Sequence, residues 1–547
     1  MKLSSIILFS FLLLFTSCQK DAEPQPVNAY IESVSINGLA VSNGGSVSGI
    51  PTDSVLVQVN FSTVINLNKI DPTKFFISNG IDTSFTVYSK NNAKVLLFRI
   101  RKPLQAYTSY TLYFTEGENL GIKLINPFNY SFITELDTIP KFPVISNDSL
   151  LTLVQRKTFD YFWTYAHPVS GLTRERLNSG ETVTTGGSGF GIMGIPVAIS
   201  RGFITRSEGF ERLAKILKFL SRPETDTFHG AFPHWMNGTS GKVQPFSNED
   251  NGADLVETAF LMQGLLTVQS YFKNGNTEEQ ALCQNIQTLW EKVEWSWFQQ
   301  NGQQRLYWHW SPNISWNLNM PITGWNESLI VYVLAASSPT HPITKSVYDA
   351  GWARNGAFKN GKTFYNITLP LGLDYGGPLF FSHYSFLGLD PRNLSDVYAN
   401  YWQQNRAHAQ INYTYCVANP HHNYGYGINC WGLTASDIPT GYTASSPTND
   451  VGVIAPTAAL SSFPYTPVES MRALHFFYYT LGDKIWGTYG FKDAFNLDKR
   501  WFASSYLAID QGPIVVMIEN YRTGLLWNLF MQNTDVQSGL NKLEFSW

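Results

Sequence analysis

Three carboxylates fall at spacings of four and three in Asp250-Asn251-Gly252-Ala253-Asp254-Leu255-Val256-Glu257. On the opening turns of a helix, Asp250, Asp254 and Glu257 would share one face. Residues 258–271 are mostly apolar (Phe260, Leu261, Met262, Leu265, Leu266, Val268), so this helix is expected to be largely buried, with its acids lining a cavity rather than facing bulk water. Carboxylates crowded in a partly dry cleft acquire the shifted protonation states that acid/base chemistry uses. Two further acids stand at helix entrances: Glu327 in Gly324-Trp325-Asn326-Glu327-Ser328, ahead of the apolar run 329–334, and Asp510 in Ile509-Asp510-Gln511-Gly512-Pro513. Each could cap its helix or donate a proton, because apolar surroundings favour the protonated form while the helix dipole favours the ionised one.

Other chemistries find less support. Gly189-Phe190-Gly191-Ile192-Met193-Gly194 matches G-x-G-x-x-G, but residues 181–188 before it are polar and supply no buried strand. The dinucleotide reading therefore fails, and a flexible loop entering a helix is expected there. His421-His422 and the pair His229 and His234 lack an H-E-x-x-H or paired-cysteine spacing, so they are read as hydrogen-bonding or stacking groups and no metal is assigned. No G-x-S-x-G marks a serine nucleophile. Aromatic and polar residues do interleave in Phe232-Pro233-His234-Trp235, Tyr307-Trp308-His309-Trp310 and Asp374-Tyr375-Gly376-Gly377-Pro378-Leu379-Phe380. Stacking faces among hydrogen-bonding groups suit a polyhydroxylated ligand; tryptophans buried in a helical core are the competing account.

The elements that must position these groups occupy a chain of 547 residues, too long for one small domain. Met1-Lys2, the apolar run 3–15 and Phe15-Thr16-Ser17-Cys18 read as a lipoprotein signal over 1–18, with Cys18 lipidated and 19–28 a tether. Acyl chains on Cys18 would hold the protein to a membrane, as an outer-membrane lipoprotein on the periplasmic face or the cell surface. No later stretch reaches about eighteen uninterrupted apolar residues. Cys283, Cys416 and Cys430 cannot make a closed disulfide framework, although Cys416 could pair with Cys430. A net charge of −3, only 14% charged residues and no basic run exclude nucleic acid as a partner.

Residues 29–137 carry a period of two, as in Val55, Val57, Val59 and Phe61, and again over 95–100 and 110–114. Short strands between glycine-containing turns predict a small β-sandwich. It has no clustered acids or histidines, which makes it a spacer, and its stretch 107–134 resembles the bacterial immunoglobulin-like modules found beside catalytic domains. Residues 138–146 form a linker. Beyond it the period changes, predicting helices near 150–165, 190–201, 210–220, 255–271, 277–294, 326–337, 393–413, 466–481 and 513–531. Thr205-Arg206-Ser207-Glu208 supplies a capping box ahead of the third of these. With no alternating strand signal between them, residues 147–547 read as an all-α domain.

Eight segments in order over residues 150–532 resemble the glycoamylase-like family, glycoside hydrolase family 144. They are Thr185-Gly186-Gly187-Ser188-Gly189-Phe190-Gly191, Phe232-Pro233-His234-Trp235, Asp254-Leu255-Val256-Glu257-Thr258-Ala259, Gly324-Trp325-Asn326-Glu327, Gly376-Gly377-Pro378-Leu379-Phe380, Trp431-Gly432-Leu433-Thr434-Ala435, Trp486-Gly487-Thr488-Tyr489-Gly490-Phe491 and Asp510-Gln511-Gly512-Pro513. The resemblance implies an (α/α)6 toroid with its active site at one mouth, and an inverting hydrolase of β-1,2-glucan that releases sophorose or short oligosaccharides. Asp250, Asp254, Glu257 and Glu327 match family acids. Glu327 is the expected general acid, and Asp510, Asp254 and Glu257 compete for the role of base. Expected substrate contacts are Asp250, His234, Trp235, Trp310, Trp325, Asp374, Tyr375 and His421. Inversion needs one acid to protonate the leaving oxygen and a carboxylate across the sugar, about 6.5–9.5 Å away, to activate water; it needs no cofactor. The alternatives are a surface glycan-binding lipoprotein without turnover and a same-fold enzyme acting on another glucan.

Overall fold

The structure, a computed structural model, describes residues 25–77, 85–89, 94–100 and 102–547. Cys18, the signal over 1–18 and residues 19–24 of the tether lie outside the described residues. The chain divides into two units, Met1–Asp137 and Thr138–Trp547.

In the first unit a five-stranded sheet runs in the order Leu39–Val41, Ile31–Ile36, Leu56–Phe61, Val95–Ile100, Phe85–Ser89, and a four-stranded sheet in the order Ser46–Ile50, Phe128–Thr134, Ser109–Phe114, Phe75–Ile77. Alternation decides which side chains turn inward. Val57, Val59 and Phe61 from the first sheet and Leu112, Phe114 and Phe132 from the second are buried in one apolar core, joined by an edge-to-face contact of Phe98 with Phe114.

The second unit is helical, with α1 (Asn147–Trp163), α2 (Thr185–Ser200), α3 (Arg206–Leu220), α4 (Leu255–Phe272), α5 (Thr277–Glu291), α6 (Leu329–Ser337), α7 (Tyr401–Ala418), α8 (Pro456–Leu460), α9 (Pro467–His475), α10 (Ala508–Arg522), α11 (Leu525–Met531) and α12 (Thr534–Lys542). Two kinds of helix alternate along the chain. α2, α4, α6 and α10 are apolar almost all round and almost wholly buried, whereas α1, α3, α5, α9 and α12 bury one stripe. α2 packs between α4 and α10, α4 also meets α6, α1 covers α10 and α12 covers α6. The Thr205/Glu208 capping box starts α3, and a second box, Asn276 with Glu279, starts α5. No helix among the described residues is long and apolar enough to cross a membrane.

The structure corrects several expectations. The G-x-G-x-x-G segment is not a loop but the middle of α2. A Cβ built on Gly189 would lie 2.2 Å from the Phe260 carbonyl oxygen, and one on Gly264 would lie 2.3 Å from that of Gly189, so these glycines let the α2 and α4 backbones touch. The helix expected from 393 begins at Tyr401, because Asn400 caps it by accepting the Gln403 N–H. The 466–481 helix widens into a π-turn at Phe476–Thr480. The helix expected over 513–531 starts at Ala508, carries Pro513 inside it and breaks at Gly524, whose φ is 72°. Cys416 and Cys430 are both free and buried.

Candidate active site

The acidic triplet converges, but not through helical spacing. α4 begins at Leu255; Asp254 is its N-cap, with extended backbone, and Asp250 precedes it in a tight turn with Ser247. The physical reason is that Asp254 caps better than it propagates: its Oδ1 accepts the N–H groups of Val256 and Glu257 at 3.0 and 2.9 Å. Ala253–Asp254 then pairs antiparallel with His309–Trp310, which brings His309 to the same place. His234 Nδ1 lies 2.9 Å from Asp254 Oδ2 and 3.8 Å from Asp250 Oδ2, and His309 Nδ1 lies 3.4 Å from Asp250 Oδ1. His234 is fixed from behind by Phe246, stacked at 4.4 Å, and by the edge of Trp235.

Asp254 is fully buried, and burial alone would hold it protonated; the His234 bond, the nearby histidine charges and the Glu257 N–H outweigh this and keep it below the usual carboxylate range. Burial disfavours the His234 cation too, but the charges of Glu257, Asp254 and Asp250 and the Asp254 hydrogen bond raise it to about 9. His309 is raised in the same way, by its contact with Asp250 and the charges of Asp254 and Asp250 acting against burial. His234, Asp250 and Asp254 offer donor atoms all within 4.8 Å of one another, the set here that could hold a metal ion. A cationic His234 bonded to Asp254 cannot ligate, so a metal would first have to displace that proton.

Glu257 lies on the first turn of α4, where its Oε2 accepts the Gly186 N–H at 2.7 Å and the Thr184 hydroxyl at 3.3 Å. Burial and the Asp254 charge nevertheless raise it. Glu327 sits just before α6. Its backbone carbonyl accepts the Ser385 hydroxyl, while its carboxyl has no cationic or hydroxyl partner among the described residues. Burial, with repulsion from Asp254 and Glu257, lifts it to about 7.

Asp510 belongs to a second acidic group that local sequence did not reveal. It is buried in the first turn of α10, and its backbone carbonyl accepts the Thr457 hydroxyl at 2.7 Å. Its carboxyl is within hydrogen-bonding reach of Asp493, and burial and the Asp493 charge push it well up. Asp493 Oδ2 accepts the Asp437 N–H at 2.7 Å; burial lifts Asp493 to about 7. Asp437 in turn accepts from Arg176 at 3.1 Å and from Ser505 at 2.5 Å, and Arg176 also grips Glu175. The buried phenol of Tyr384 feels Asp510, Glu327 and Glu257 together, so both acidic groups lie within Coulombic reach of one hydroxyl. His309, Asp493, Asp437, Arg176 and Tyr384 were assigned no role from sequence. Three of them had a nearby pointer: His309 lies inside the stretch Tyr307–Trp310, and Asp437 and Asp493 each lie two residues beyond a segment of the family resemblance, those ending at Ala435 and Phe491.

The expected substrate contacts divide. His234, Asp250 and Trp235 join the first group; Trp310 pairs through its backbone with Ala253 beside it, while its ring belongs to an aromatic cluster with His229 at 5.4 Å and Trp297 at 5.5 Å. Trp325 is 4% exposed and packs on Phe386 and Tyr401, so its ring belongs to the interior. Asp374 is an exposed partner of Lys362 at 2.8 Å, Tyr375 packs on Phe364 and Tyr415, and His421 is exposed beyond α7. The structure does not bring these last three to either acidic group.

Comparisons with known proteins agree on one family. A family model described as "Putative glucoamylase" matches residues 319–534. The exo β-1,2-glucooligosaccharide sophorohydrolase (non-reducing end) of Parabacteroides distasonis is 46% identical over 442 residues, covering 77% of this chain; this chain spans only 60% of that protein's length. Among solved structures, one from Bacteroides uniformis bearing the same description as the family model is 57% identical, with a TM-score of 0.73, over 74% of this chain and 99% of that one. The endo-β-1,2-glucanase of Chitinophaga pinensis, solved with sophorotriose and glucose, is 54% identical, with a TM-score of 0.72, over the same shares.

Proposed function

The chain belongs to the glycoamylase-like family, and we propose that it hydrolyses β-1,2-glucan with inversion, using Glu327 as the general acid in the mouth of an (α/α)6 toroid. Two of the relatives, from Parabacteroides distasonis and Chitinophaga pinensis, are named for hydrolysing β-1,2-linked glucose, which supports the substrate; the alternation of wholly buried with one-sided helices supports the double ring. The observation that carries the chemistry is the state of Glu327. A carboxyl lifted to about 7 by burial and by two neighbouring acids keeps its proton in about half of the molecules at neutral pH and in most just below it, which is what protonation of a glycosidic oxygen requires. Asp254, held ionised beneath the His234 cation, forms an anionic wall that stabilises the positive charge developing on the sugar ring. Asp510 takes the proton of the attacking water. Trp310 and Trp235 offer faces to neighbouring glucose units.

The test is incubation with linear β-1,2-glucan, following reducing ends and the anomer first released. Glu327→Gln must lose release while retaining the fold, and the first product must be the inverted α-anomer. Binding without release in the unaltered protein would overturn the hydrolase in favour of a glycan-binding lipoprotein. For the rest of the chain we propose a Cys18 lipid anchor at the outer membrane and an immunoglobulin-like spacer over 29–137, supported by the signal pattern and by the two-sheet core. Loss of labelled fatty acid incorporation in Cys18→Ala tests the anchor.

A further inference from the structure

Asp493 and Asp510 present an unusual problem in satisfaction. Both are almost wholly buried, at 3% exposure, and Asp493 Oδ1 and Asp510 Oδ2 have no hydrogen-bond donor from any other group among the described residues. Two carboxylates in contact cannot both ionise in a dry site, and an acceptor left without a donor there is expensive. A single proton held between the two oxygens removes both difficulties. The surroundings fix where this pair can exchange charge. Asp493 is pinned by the Asp437 N–H through its other oxygen; Asp437 is tied to Arg176, and Arg176 to Glu175. The phenols of Tyr442 and Tyr384 are the remaining titratable groups that feel Asp510. Arg176 is the only cation in this set, and Glu175 and Asp437 already occupy it.

We propose that Asp493 and Asp510 form a one-proton dyad that activates the hydrolytic water, Asp510 meeting the water and Asp493 acting through it as a positioning residue. The proposal rests on the hydrolase reading above. In the step, the water oxygen bonds to the anomeric carbon as the glycosidic C–O bond breaks toward the leaving oxygen. The water's proton passes to the singly charged dyad, which becomes neutral, and the Glu327 proton passes to the leaving oxygen. The cycle closes when the dyad releases one proton to solvent and Glu327 recovers one. A lone ionised aspartate at this depth would be costly to maintain, whereas the dyad keeps one negative charge delocalised over two residues.

Two measurements test this. In the infrared spectrum of the whole protein, kept well above neutral pH, a protonated carboxyl C=O band is expected that disappears in Asp510→Asn; its absence in the unaltered protein overturns the dyad. This readout needs no substrate, so it separates failure of the dyad from failure of the hydrolase assignment. In kinetics, Asp493→Asn is expected to lower kcat at least tenfold with little change in KM, and to move the acidic limb of the kcat profile to higher pH, since Asp510 must then carry its buried charge without a shared proton to spread it. Asp493→Glu should restore part of the rate. A merely structural role would reduce active protein without moving the limb, and an unmoved limb in Asp493→Asn overturns the proposal.

Discussion

Glu327 makes the sharpest forecast at the scale of single residues. Because its protonated form is the working one and burial lifts it to about 7, kcat should fall as pH rises through about 7. Glu327→Gln should cost roughly 10²–10⁴-fold in kcat, measured on β-1,2-glucan at saturating substrate. The same shift has a stability sign. A carboxyl whose folded-state value is raised costs stability above its ordinary range, so Glu327→Gln should raise the thermal midpoint at pH above 7 and change it little in mild acid. His234 runs the other way. Raised to about 9, it contributes stability that is fully present below the ordinary histidine value and is lost as pH rises through about 9. His234→Gln leaves Asp254 buried without its cation and should cost about 3 kcal/mol near neutrality; the gap from the unaltered protein, read by urea unfolding, should narrow above pH 9. These acids were legible in the sequence because they stand beside apolar runs and helix entrances. Asp493 was not, because its significance lies wholly in a contact with Asp510 across a turn and two short strands.

Element by element, helices with one apolar stripe or a capping box were read close to their true bounds, as α3 and α5 show. The errors fall where tertiary contact overrides local preference. Glycines in sequence suggest a loop, yet in α2 they are what allows backbone contact with α4. Spacing also put Asp250 and Asp254 on a helix, whereas capping and the pairing with His309–Trp310 place them ahead of it. The contact between α2 and α4 carries chemistry, since the Gly186 N–H of α2 holds Glu257 of α4. Gly189→Ala should therefore destabilise by about 1–3 kcal/mol or more through overpacking. It should also depress kcat, because helices forced apart release Glu257; unchanged unfolding and turnover would refute that close packing.

For the whole molecule, both acidic groups fall in the second unit, and the Bacteroides uniformis and Chitinophaga pinensis structures cover 74% of this chain, an extent the helical unit alone accounts for. Residues 138–547 expressed alone should unfold in a single cooperative transition and retain turnover; a fragment that fails to fold would show that the core had been assigned too narrowly. One feature of that unit has a temporal meaning. α1, among its earliest elements, is bound by one of its last: Gln155 donates to Glu519 of α10 at a separation of 364 residues, and Arg522 reaches Asp148 across 374. Joining such distant points costs roughly 5 kcal/mol of chain entropy before any contact repays it. During synthesis, then, the first helix can pack on α2 early but must wait with the part of its apolar stripe that meets α10 uncovered until the C-terminal segment emerges. A ribosome stalled before α10 would hold a chain that is nearly complete in length yet still open to proteases along its first helix.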